Sequence, residues 1–365
     1  FYVDPGTLPR IALLVFLLAV TLLDLCWRIL AIRLLSLPVL QRPALIIGAG
    51  RAGTMILRIL TREVPGQLRV CGMIDDDEKK HGKKVRGVPI LGGWEVLGDA
   101  VSRQGISVLV LAITGKINPQ LFQAILDCQE QGTEVIRMPA LYESLLGRVP
   151  ITYLSADWLL TSFLDSVRLY DLYSPLKRLI DLLIAVVGLA GNLLLFPLIA
   201  LIIRLDSPGP ILFRQERLGK GGHPFWIWKF RTMVLDAEGD GEARWASPED
   251  PRATRVGKWM RRTRLDEIPQ FWNVLLGEMS LIGPRPERPA LIAQLEKQIP
   301  FYRARLLIKP GLTGWSQVNY GYVRSVKDTV LKLEYDLYYI RHRSLLLDVK
   351  ILLRSLGTIL RFQGS

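Results

Sequence analysis

The sequence contains little cysteine and comparatively few acidic residues. Its three cysteines are scattered, without a CxxC pair or the spacing of metal ligands: Cys26, Cys71 and Cys128. This scarcity argues against a disulfide framework and a cysteine-based metal site. The 34 Asp and Glu residues are outnumbered by 47 Lys and Arg, which gives a formal charge of +13. We therefore expect an anionic partner, and nucleic acid, an anionic membrane surface and phosphorylated substrates all meet that condition.

Charged residues are also scarce in two long apolar stretches, and the mean hydropathy of the chain is +0.25. The first stretch, 11–26, has Asp24 as its only charged residue. A membrane span needs ~20 apolar residues, so we predict a transmembrane helix within residues 1–40. More arginines follow this stretch than precede it, which favours a cytoplasmic location for its C-terminal side. Because the sequence begins at Phe1, the number of spans upstream stays open.

The second apolar stretch, 182–203, has 22 residues without a charge. Basic residues flank both of its ends, Lys177 among those before it and Arg204 after it, which indicates that both ends lie in the cytoplasm. Pro197 removes one backbone hydrogen bond and bends a helix. We therefore predict a kinked, re-entrant membrane helix over 177–204 that enters and leaves the bilayer by the same leaflet. A straight span is the alternative.

Between these stretches, short apolar runs alternate with helical segments. ALIIGAGRAG and VCGMIDDD indicate two strands, and SVLVLAI and TEVIRMP continue the pattern. Strands that alternate with helices indicate a parallel sheet. We therefore predict a Rossmann-like (CoA-binding-like) α/β domain over 41–145. A connector without a clean period follows at 146–173.

Three glycines form a GxGxxG pattern after the first predicted strand of this domain: Gly48, Gly50 and Gly53. In that context glycines let the backbone approach a pyrophosphate at a helix N-terminus, and Asp75 is placed to accept a ribose hydroxyl. The pattern thus indicates a site for an NAD-type nucleotide. The domain is too short for a complete dehydrogenase, however, and no Tyr-x-x-x-Lys follows it. We therefore favour a structural or regulatory role.

A dense group of charges lies in the C-terminal half. Five basic residues occur there without an acid among them: Arg255, Lys258, Arg261, Arg262 and Arg264. The adjacent carboxylates Asp266 and Glu267 follow. Cations neutralise phosphate oxygens and keep a carboxylate ionised, while carboxylates hold Mg²⁺ or attack phosphorus. This combination suits phosphoryl transfer, and a solvated helix face with local ion pairs is the alternative.

Three segments resemble the bacterial sugar transferase family. They are SPGPILFRQERLGKGGHPFWIWKFRTM, RTRLDEIPQFWNVLLGEMSLIGPRP and KPGLTGWSQVN. The resemblance covers about residues 174–365 and implies a monotopic, mostly helical phosphoglycosyl transferase domain there. The complete layout resembles the large members of the family, which transfer galactose-1-phosphate or glucose-1-phosphate to undecaprenyl phosphate. The fold class expected for the chain is therefore α/β, with a membrane helix, a Rossmann-like domain and this catalytic domain in turn.

The resemblance implies roles for matching positions. Asp266 falls at the position of the family's nucleophile, which attacks the β-phosphate of a UDP-sugar and forms a covalent phosphosugar intermediate. Glu267 falls at the position of the carboxylate that helps to position Mg²⁺, so both carboxylates are candidate metal ligands. Four basic residues match candidate phosphate-binding positions: Arg261, Arg285 of the Gly-Pro-Arg-Pro loop, Lys229 and Arg231.

These roles imply the partners and location of the protein. We expect a UDP-sugar, undecaprenyl phosphate, Mg²⁺ and the lipid bilayer as partners, and a catalytic domain on the cytoplasmic face of the bacterial inner membrane. The reaction would be the first membrane step of capsule, O-antigen or exopolysaccharide synthesis. Nucleic acid is not expected, and a homodimer is compatible with the pattern. Two other classes stay open: a membrane-tethered NAD-dependent nucleotide-sugar epimerase or dehydratase, and a non-catalytic scaffold.

Overall fold

The computed structural model of the chain describes residues 10–35, 41–153, 172–234, 251–321 and 325–360. The chain divides into two units, Phe1–Leu145 and Leu146–Ser365. Helix α1, Arg10–Leu35, comes first, and its apolar run Ile11–Ala31 is long enough to cross a membrane. The large apolar side chains of this run are exposed. Together with the second apolar helix described below, α1 indicates a membrane protein.

A six-stranded sheet forms the centre of the N-terminal unit. Its strands are β1 (Arg42–Ile47), β2 (Leu68–Ile74), β3 (Lys84–Val85), β4 (Val88–Gly92), β5 (Val108–Leu111) and β6 (Glu134–Arg137). The helices of the unit are α2 (Arg51–Arg58), α3 (Leu97–Gln104), α4 (Pro119–Glu130) and α5 (Met138–Leu146). The strand order is β3-β4-β2-β1-β5-β6, and every pair is parallel except β3 with β4. The predicted mixed α/β fold with a parallel sheet is thereby confirmed.

Strand β1 is central because its apolar residues are buried, as a strand covered on both faces requires. The turn that follows β1 lies at the carboxyl edge of the sheet. The strand order reverses at β1, and ligands of open α/β sheets commonly bind at such a point. Gly48 begins this turn at φ +102°, a conformation that glycine adopts without steric cost. A Cβ on Gly53 would lie 1.8 Å from the Gly48 carbonyl oxygen. Glycine is therefore required at both positions by the turn itself.

The C-terminal unit is mostly helical. Its helices are α6 (Tyr173–Asp206), α7 (Arg255–Thr263), α8 (Phe271–Leu276), α9 (Pro289–Leu295), α10 (Trp315–Asn319), α11 (Val326–Arg341) and α12 (Leu345–Leu360), with 3₁₀ helices at Leu265–Gln270 and Tyr302–Leu307. Strands β7 (Leu212–Leu218) and β8 (Pro224–Phe230) pair antiparallel, and β9 (Ser280–Ile282) and β10 (Gly311–Thr313) pair parallel. Most of the predicted connector 146–173 lies outside the described residues.

Helix α6 packs on its own unit along one stripe. Its members are three, four or eight residues apart, spacings that lie on one face of a helix: Asp181, Ala185, Gly188, Phe196, Ile199 and Ile203. The other faces are apolar and exposed, with Leu193 and Leu194 as examples. Pro197, where we predict a kink, lies inside the helix, which continues through this residue to Asp206. The proline therefore does not end the helix.

Both ends of α6 are attached to the C-terminal unit. Near its start, the Arg178 guanidinium donates to the carbonyls of Val274 and Leu275 at 2.7 and 2.9 Å. At its end, the Asp206 carboxylate accepts the Val256 N–H at 3.2 Å. A helix that crosses a bilayer carries its ends to surfaces ~30 Å or more apart. In this structure, by contrast, one unit holds both ends of α6.

Candidate active site

Asp266 and Glu267 lie in the first turn of the 3₁₀ helix Leu265–Gln270, directly after α7. Arg264 joins the two helices in the left-handed conformation at φ +57°, which is uncommon outside glycine. A 3₁₀ helix has three residues per turn, so Arg264 and Glu267 lie on the same side. Both carboxylate side chains are buried. The pair is therefore not part of a solvated helix face.

Three cationic side chains surround the Glu267 carboxylate. Arg285 Nη2 lies 2.8 Å and Lys229 Nζ 3.4 Å from Oε1, and Arg264 Nη1 lies 3.6 Å from Oε2. Burial alone would raise the pKa of Glu267, but Arg285, Lys229 and Arg264 together lower it well below its usual range. Glu267 is therefore ionised throughout the physiological pH range.

Asp266 has the opposite shift. Burial, and after it the charge of Glu267, raise the pKa of Asp266 to about 6, although Lys229, Arg261 and Arg285 oppose this rise. The sequence predicts that nearby cations keep Asp266 ionised, whereas in the structure they stabilise mainly the charge of Glu267. The physical reason is that two adjacent buried carboxylates repel each other, so one of them becomes more basic. Asp266 still carries its charge in most molecules at pH 7.

Lys229 and Arg231 are two residues apart but contact different parts of the unit. Lys229, near the end of β8, reaches Glu267 as described above. Burial lowers the pKa of Lys229, and the charge of Glu267 opposes this effect. The Arg231 guanidinium instead donates to the carbonyls of Ser207, at 2.7 Å, and Pro208. Arg231 therefore holds the chain just after α6, and a phosphate contact of Arg231 stays a prediction.

Arg261 lies in the last turn of α7 and is half-buried. Its charge lowers the pKa of Asp266, so the guanidinium lies near that carboxylate. Among the residues that the structure describes, Arg261 has no side-chain hydrogen bond or ion pair. Its five N–H donors are therefore available to an anionic ligand.

Arg285 completes the site from the loop between β9 and α9. The pKa of Arg285 is raised, chiefly by the charge of Glu267. With Lys229, Arg261 and Arg264, it makes four cations that act on two carboxylates, an excess of positive charge that suits a diphosphate.

Sequence reasoning did not single out Arg264 as a site residue. Its spacing of three residues from Glu267 would have been the signal, given a 3₁₀ turn.

A magnesium ion fits this pair only together with a phosphorylated ligand. The described residues contain no group of three or more His, Cys, Asp or Glu side chains that could hold a metal. Three cations already contact Glu267, and none of these three ion pairs involves the oxygens of Asp266. Mg²⁺ is commonly held by one or two carboxylates and completed by substrate phosphates. The two carboxylates fit Mg²⁺ in that manner.

The glycine turn of the N-terminal unit is occupied by a side chain of its own. Asp75 Oδ2 accepts the Ala49 N–H at 2.7 Å, inside the turn, and both Asp75 oxygens lie 3.0 Å from Lys80 Nζ. Burial raises the pKa of Asp75, but Lys80 and two backbone N–H groups lower it overall. A ribose hydroxyl would have to displace these contacts. Gly50, by contrast, has open space where a Cβ would be.

The fold and the site are those of a membrane-associated protein whose C-terminal unit contains a buried, cation-rich pair of carboxylates. The model of the bacterial sugar transferase family matches residues 172–362, which is more than half of the chain, and the chain belongs to this family. A second family model, described as a CoA-binding domain, matches residues 1–139. The resemblance predicted from the three motifs is thereby confirmed.

The relatives include phosphotransferases that act on undecaprenyl phosphate. A UDP-N-acetylgalactosamine-undecaprenyl-phosphate N-acetylgalactosaminephosphotransferase of Aeromonas hydrophila is 45% identical over 231 residues, 63% of this chain and 53% of that protein. UDP-glucose:undecaprenyl-phosphate glucose-1-phosphate transferases of Escherichia coli (46% identical; 48% of this chain, 38% of that protein) and Caulobacter vibrioides (44% identical; 50% and 69%) are also similar. The chain thus spans about half or less of the Aeromonas and Escherichia proteins.

Proposed function

We propose that the chain transfers a sugar-1-phosphate from a UDP-sugar to undecaprenyl phosphate and releases UMP, as an early membrane step of capsule, O-antigen or exopolysaccharide synthesis. The observation that carries the proposal is the buried pair Asp266 and Glu267 among four cations. The relatives named above act on the same lipid phosphate. An excess of cations is what a UDP-sugar diphosphate requires for binding and for charge compensation.

In the first step, an ionised Asp266 oxygen attacks the β-phosphorus of the UDP-sugar. The bond from this phosphorus to the oxygen that bridges the two phosphates breaks, and UMP leaves with the electron pair. Arg261 and Arg285 compensate the charge that develops on the phosphate oxygens. A magnesium ion held by the two carboxylates and the diphosphate would add Lewis-acid stabilisation of that charge. The product is a phosphosugar joined to Asp266.

In the second step, a phosphate oxygen of undecaprenyl phosphate attacks the same phosphorus. The bond between this phosphorus and Asp266 breaks, which restores the carboxylate and yields the diphosphate-linked sugar. Two successive displacements let one site serve a water-soluble donor and a lipid acceptor in turn. Glu267 keeps its charge throughout, so it holds Lys229, Arg264 and Arg285 in place during both steps.

The position of the site beside α6 supports a lipid acceptor. Leu265, which precedes Asp266, packs in one apolar cluster with Phe196 and Ile199 of α6. A re-entrant α6, with both ends on the cytoplasmic side of the bacterial inner membrane, would bring the carboxylates to the membrane surface. The lipid phosphate would then reach Asp266 without leaving the interface.

The test uses the purified full chain in lipid nanodiscs with undecaprenyl phosphate, Mg²⁺ and a panel of UDP-N-acetylgalactosamine, UDP-glucose and UDP-galactose. We expect UMP release from at least one donor. Donor labelled with ³²P in its β-phosphate should leave hydroxylamine-sensitive label on the wild type and none on the Asp266→Asn variant. Label on this variant, or release of UMP at the wild-type rate, would contradict the role of Asp266.

The same assay separates this reaction from the two other classes. An NAD-dependent epimerase or dehydratase would change the sugar without releasing UMP and would need a nicotinamide nucleotide, whereas Asp75 is engaged by Ala49 and Lys80. A non-catalytic scaffold would tolerate Asp266→Asn. A homodimer stays a prediction, which the mass of the chain in nanodiscs or detergent would test.

A further inference from the structure

Backbone carbonyl groups of the Gly-Pro-Arg-Pro loop accept hydrogen bonds from residues outside the loop. Proline has no N–H, so this loop cannot form a regular backbone ladder at Pro284 and Pro286. The Gly311 N–H donates to the Pro284 carbonyl at 2.9 Å, and the Leu218 N–H donates to the Glu287 carbonyl at 3.0 Å. These two bonds attach the ends of the loop to β10 and β7.

The two carbonyls in the middle of the loop accept from arginine side chains. Arg305 Nη2 donates to the Arg285 carbonyl at 2.9 Å, and Arg217 Nη1 donates to the Pro286 carbonyl at 3.2 Å. Four successive carbonyls thus have donors from four different places in the unit. The backbone of Arg285 is consequently fixed. The Cα atom that carries the side chain in contact with Glu267 is therefore fixed as well.

Arg305 is itself held by a buried acid. Its Nη2 lies 2.9 Å from Asp336 Oδ2, and its Nη1 donates to the Tyr302 hydroxyl at 2.9 Å. The Ser316 hydroxyl donates to the other Asp336 oxygen at 2.6 Å. The side chains of Arg305 and Asp336 are only 3% and 2% exposed. A charge pair buried to this degree often adds no net stability, so stability alone does not account for it.

Glu287 connects the two arginines. Its Oε1 lies 3.6 Å from Arg305 Nη1 and 2.8 Å from Lys332 Nζ, and its Oε2 lies 3.7 Å from Arg217 Nη1. Burial would raise the pKa of Glu287, but Lys332, Arg305 and Arg217 lower it to about 2. Glu287 therefore keeps a negative charge between the arginines, and the loop, both arginines and two acids form one connected group.

We infer that Arg305, anchored by Asp336, is a positioning residue for sugar-phosphate transfer: it fixes the backbone of Arg285 and thereby the guanidinium that holds Glu267. The inference rests on the proposed function. Within the described part of the chain, neither Arg305 nor Asp336 has a hydrogen bond or ion pair with Asp266 or Glu267. Arg305 therefore acts through Arg285.

The test is a double-mutant cycle on the first half-reaction, measured as single-turnover ³²P labelling of the full chain in nanodiscs. The donor is the UDP-sugar of the panel that the wild type turns over. Arg305→Lys keeps the charge beside Asp336 but loses the planar fork that reaches the Arg285 carbonyl, Asp336 and Tyr302 together. We expect it to slow labelling at least tenfold in the wild-type background. In the Arg285→Ala background we expect a further change of less than twofold, because no guanidinium is left to position.

A role in folding alone would give a different result. Arg305→Lys would then slow labelling by the same factor in both backgrounds, and that outcome overturns the inference, as does a rate within twofold of wild type. Thermal unfolding of each variant reports its folded fraction. If Arg305→Lys does not fold, Asp336→Asn, which preserves the side-chain shape, is measured in the same two backgrounds with the same criteria.

The chain offers a matched control two residues away. Arg303 forms an ion pair with Glu296 at 3.1 Å, but its side chain is 61% exposed. Arg303→Lys should leave the labelling rate within twofold of wild type. A tenfold loss in this control would overturn the inference, because the effect would then not depend on contact with the loop. If the wild type accepts no label from any UDP-sugar of the panel, the proposed function itself fails. A labelled wild type with equal factors in both backgrounds overturns the positioning role alone.

Discussion

Asp75 and Glu267 are both carboxylates with cationic partners, but the partners have different origins. The contacts of Asp75 come from the glycine turn after β1 and from the segment directly after β2: the N–H groups of Ala49 and Asp77 and the ammonium of Lys80. Those of Glu267 come from β8, from the residue after α7 and from the loop after β9. The first group satisfies a turn, whereas the second brings distant elements of the unit together at one point.

The two groups also differ in how much charge and how many hydrogen-bond donors they leave available to a ligand. Asp75 and Lys80 balance each other, and backbone N–H groups take up the remaining bonds of the acid. Around Glu267, cations exceed carboxylates, Arg261 has no side-chain partner among the described residues, and Asp266 has a raised pKa. A group that is balanced internally supports a fold, whereas a group with an excess of charge can bind and react. The following predictions test that difference.

Among the changes that compare these two groups, the largest effect is expected from Arg285→Ala. Its loss removes the shortest contact to Glu267 and one phosphate-binding cation, so labelling from a β-³²P UDP-sugar should slow about 100-fold, the loss typical of one charge-stabilising donor. The matched change in the N-terminal unit is Lys80→Ala, which should leave the rate within twofold. Equal losses in the two variants would show that the distinction between the two groups is wrong.

A large effect on the free energy of unfolding, not on the labelling rate, is expected at Gly53 of the glycine turn. Gly53→Ala would place a Cβ 1.8 Å from the Gly48 carbonyl oxygen, so the backbone must move and the unit should lose ~2 kcal/mol or more of its free energy of unfolding. Gly50→Ala meets no atom within 4 Å and should change this free energy by less than ~1 kcal/mol. Urea unfolding of the full chain measures both. A larger loss for Gly50→Ala would contradict the packing account.

The pH dependence of labelling should follow Asp266. Its pKa of about 6 means that the attacking carboxylate is ionised above this pH and protonated below it, so the rate should fall about tenfold between pH 7 and pH 5. Glu267→Gln removes the neighbouring negative charge that raises this pKa, so the acid limb of its residual rate should move to lower pH. An acid limb at the same pH in both proteins would contradict the electrostatic assignment.

Sequence reasoning predicted the features of this protein that depend on local alternation of strands and helices or on long motifs. The alternation of strands with helices was sufficient for the parallel sheet, and the three motifs for the family. It did not predict that the cations favour Glu267 over Asp266, because this depends on which side chains meet across β8, the 3₁₀ turn and the loop after β9. The contacts of Arg231 with the carbonyls of Ser207 and Pro208 were not predicted for the same reason, because its spacing from Lys229 does not reveal them.

The smallest effect on activity is expected from Asp75→Asn. Asparagine can still accept the Ala49 N–H but loses the ion pair with Lys80, so the unit should lose about 1 kcal/mol of its free energy of unfolding at pH 7. The pKa of Asp75 is lowered in the folded chain, so its contribution is present above the unfolded pKa and is lost as pH falls through the folded one. The stability difference between variant and wild type should therefore shrink below pH 4. The labelling rate should stay within twofold of wild type. A large loss of rate, restored by added NAD or coenzyme A, would instead mean that the turn binds a nucleotide on which transfer depends.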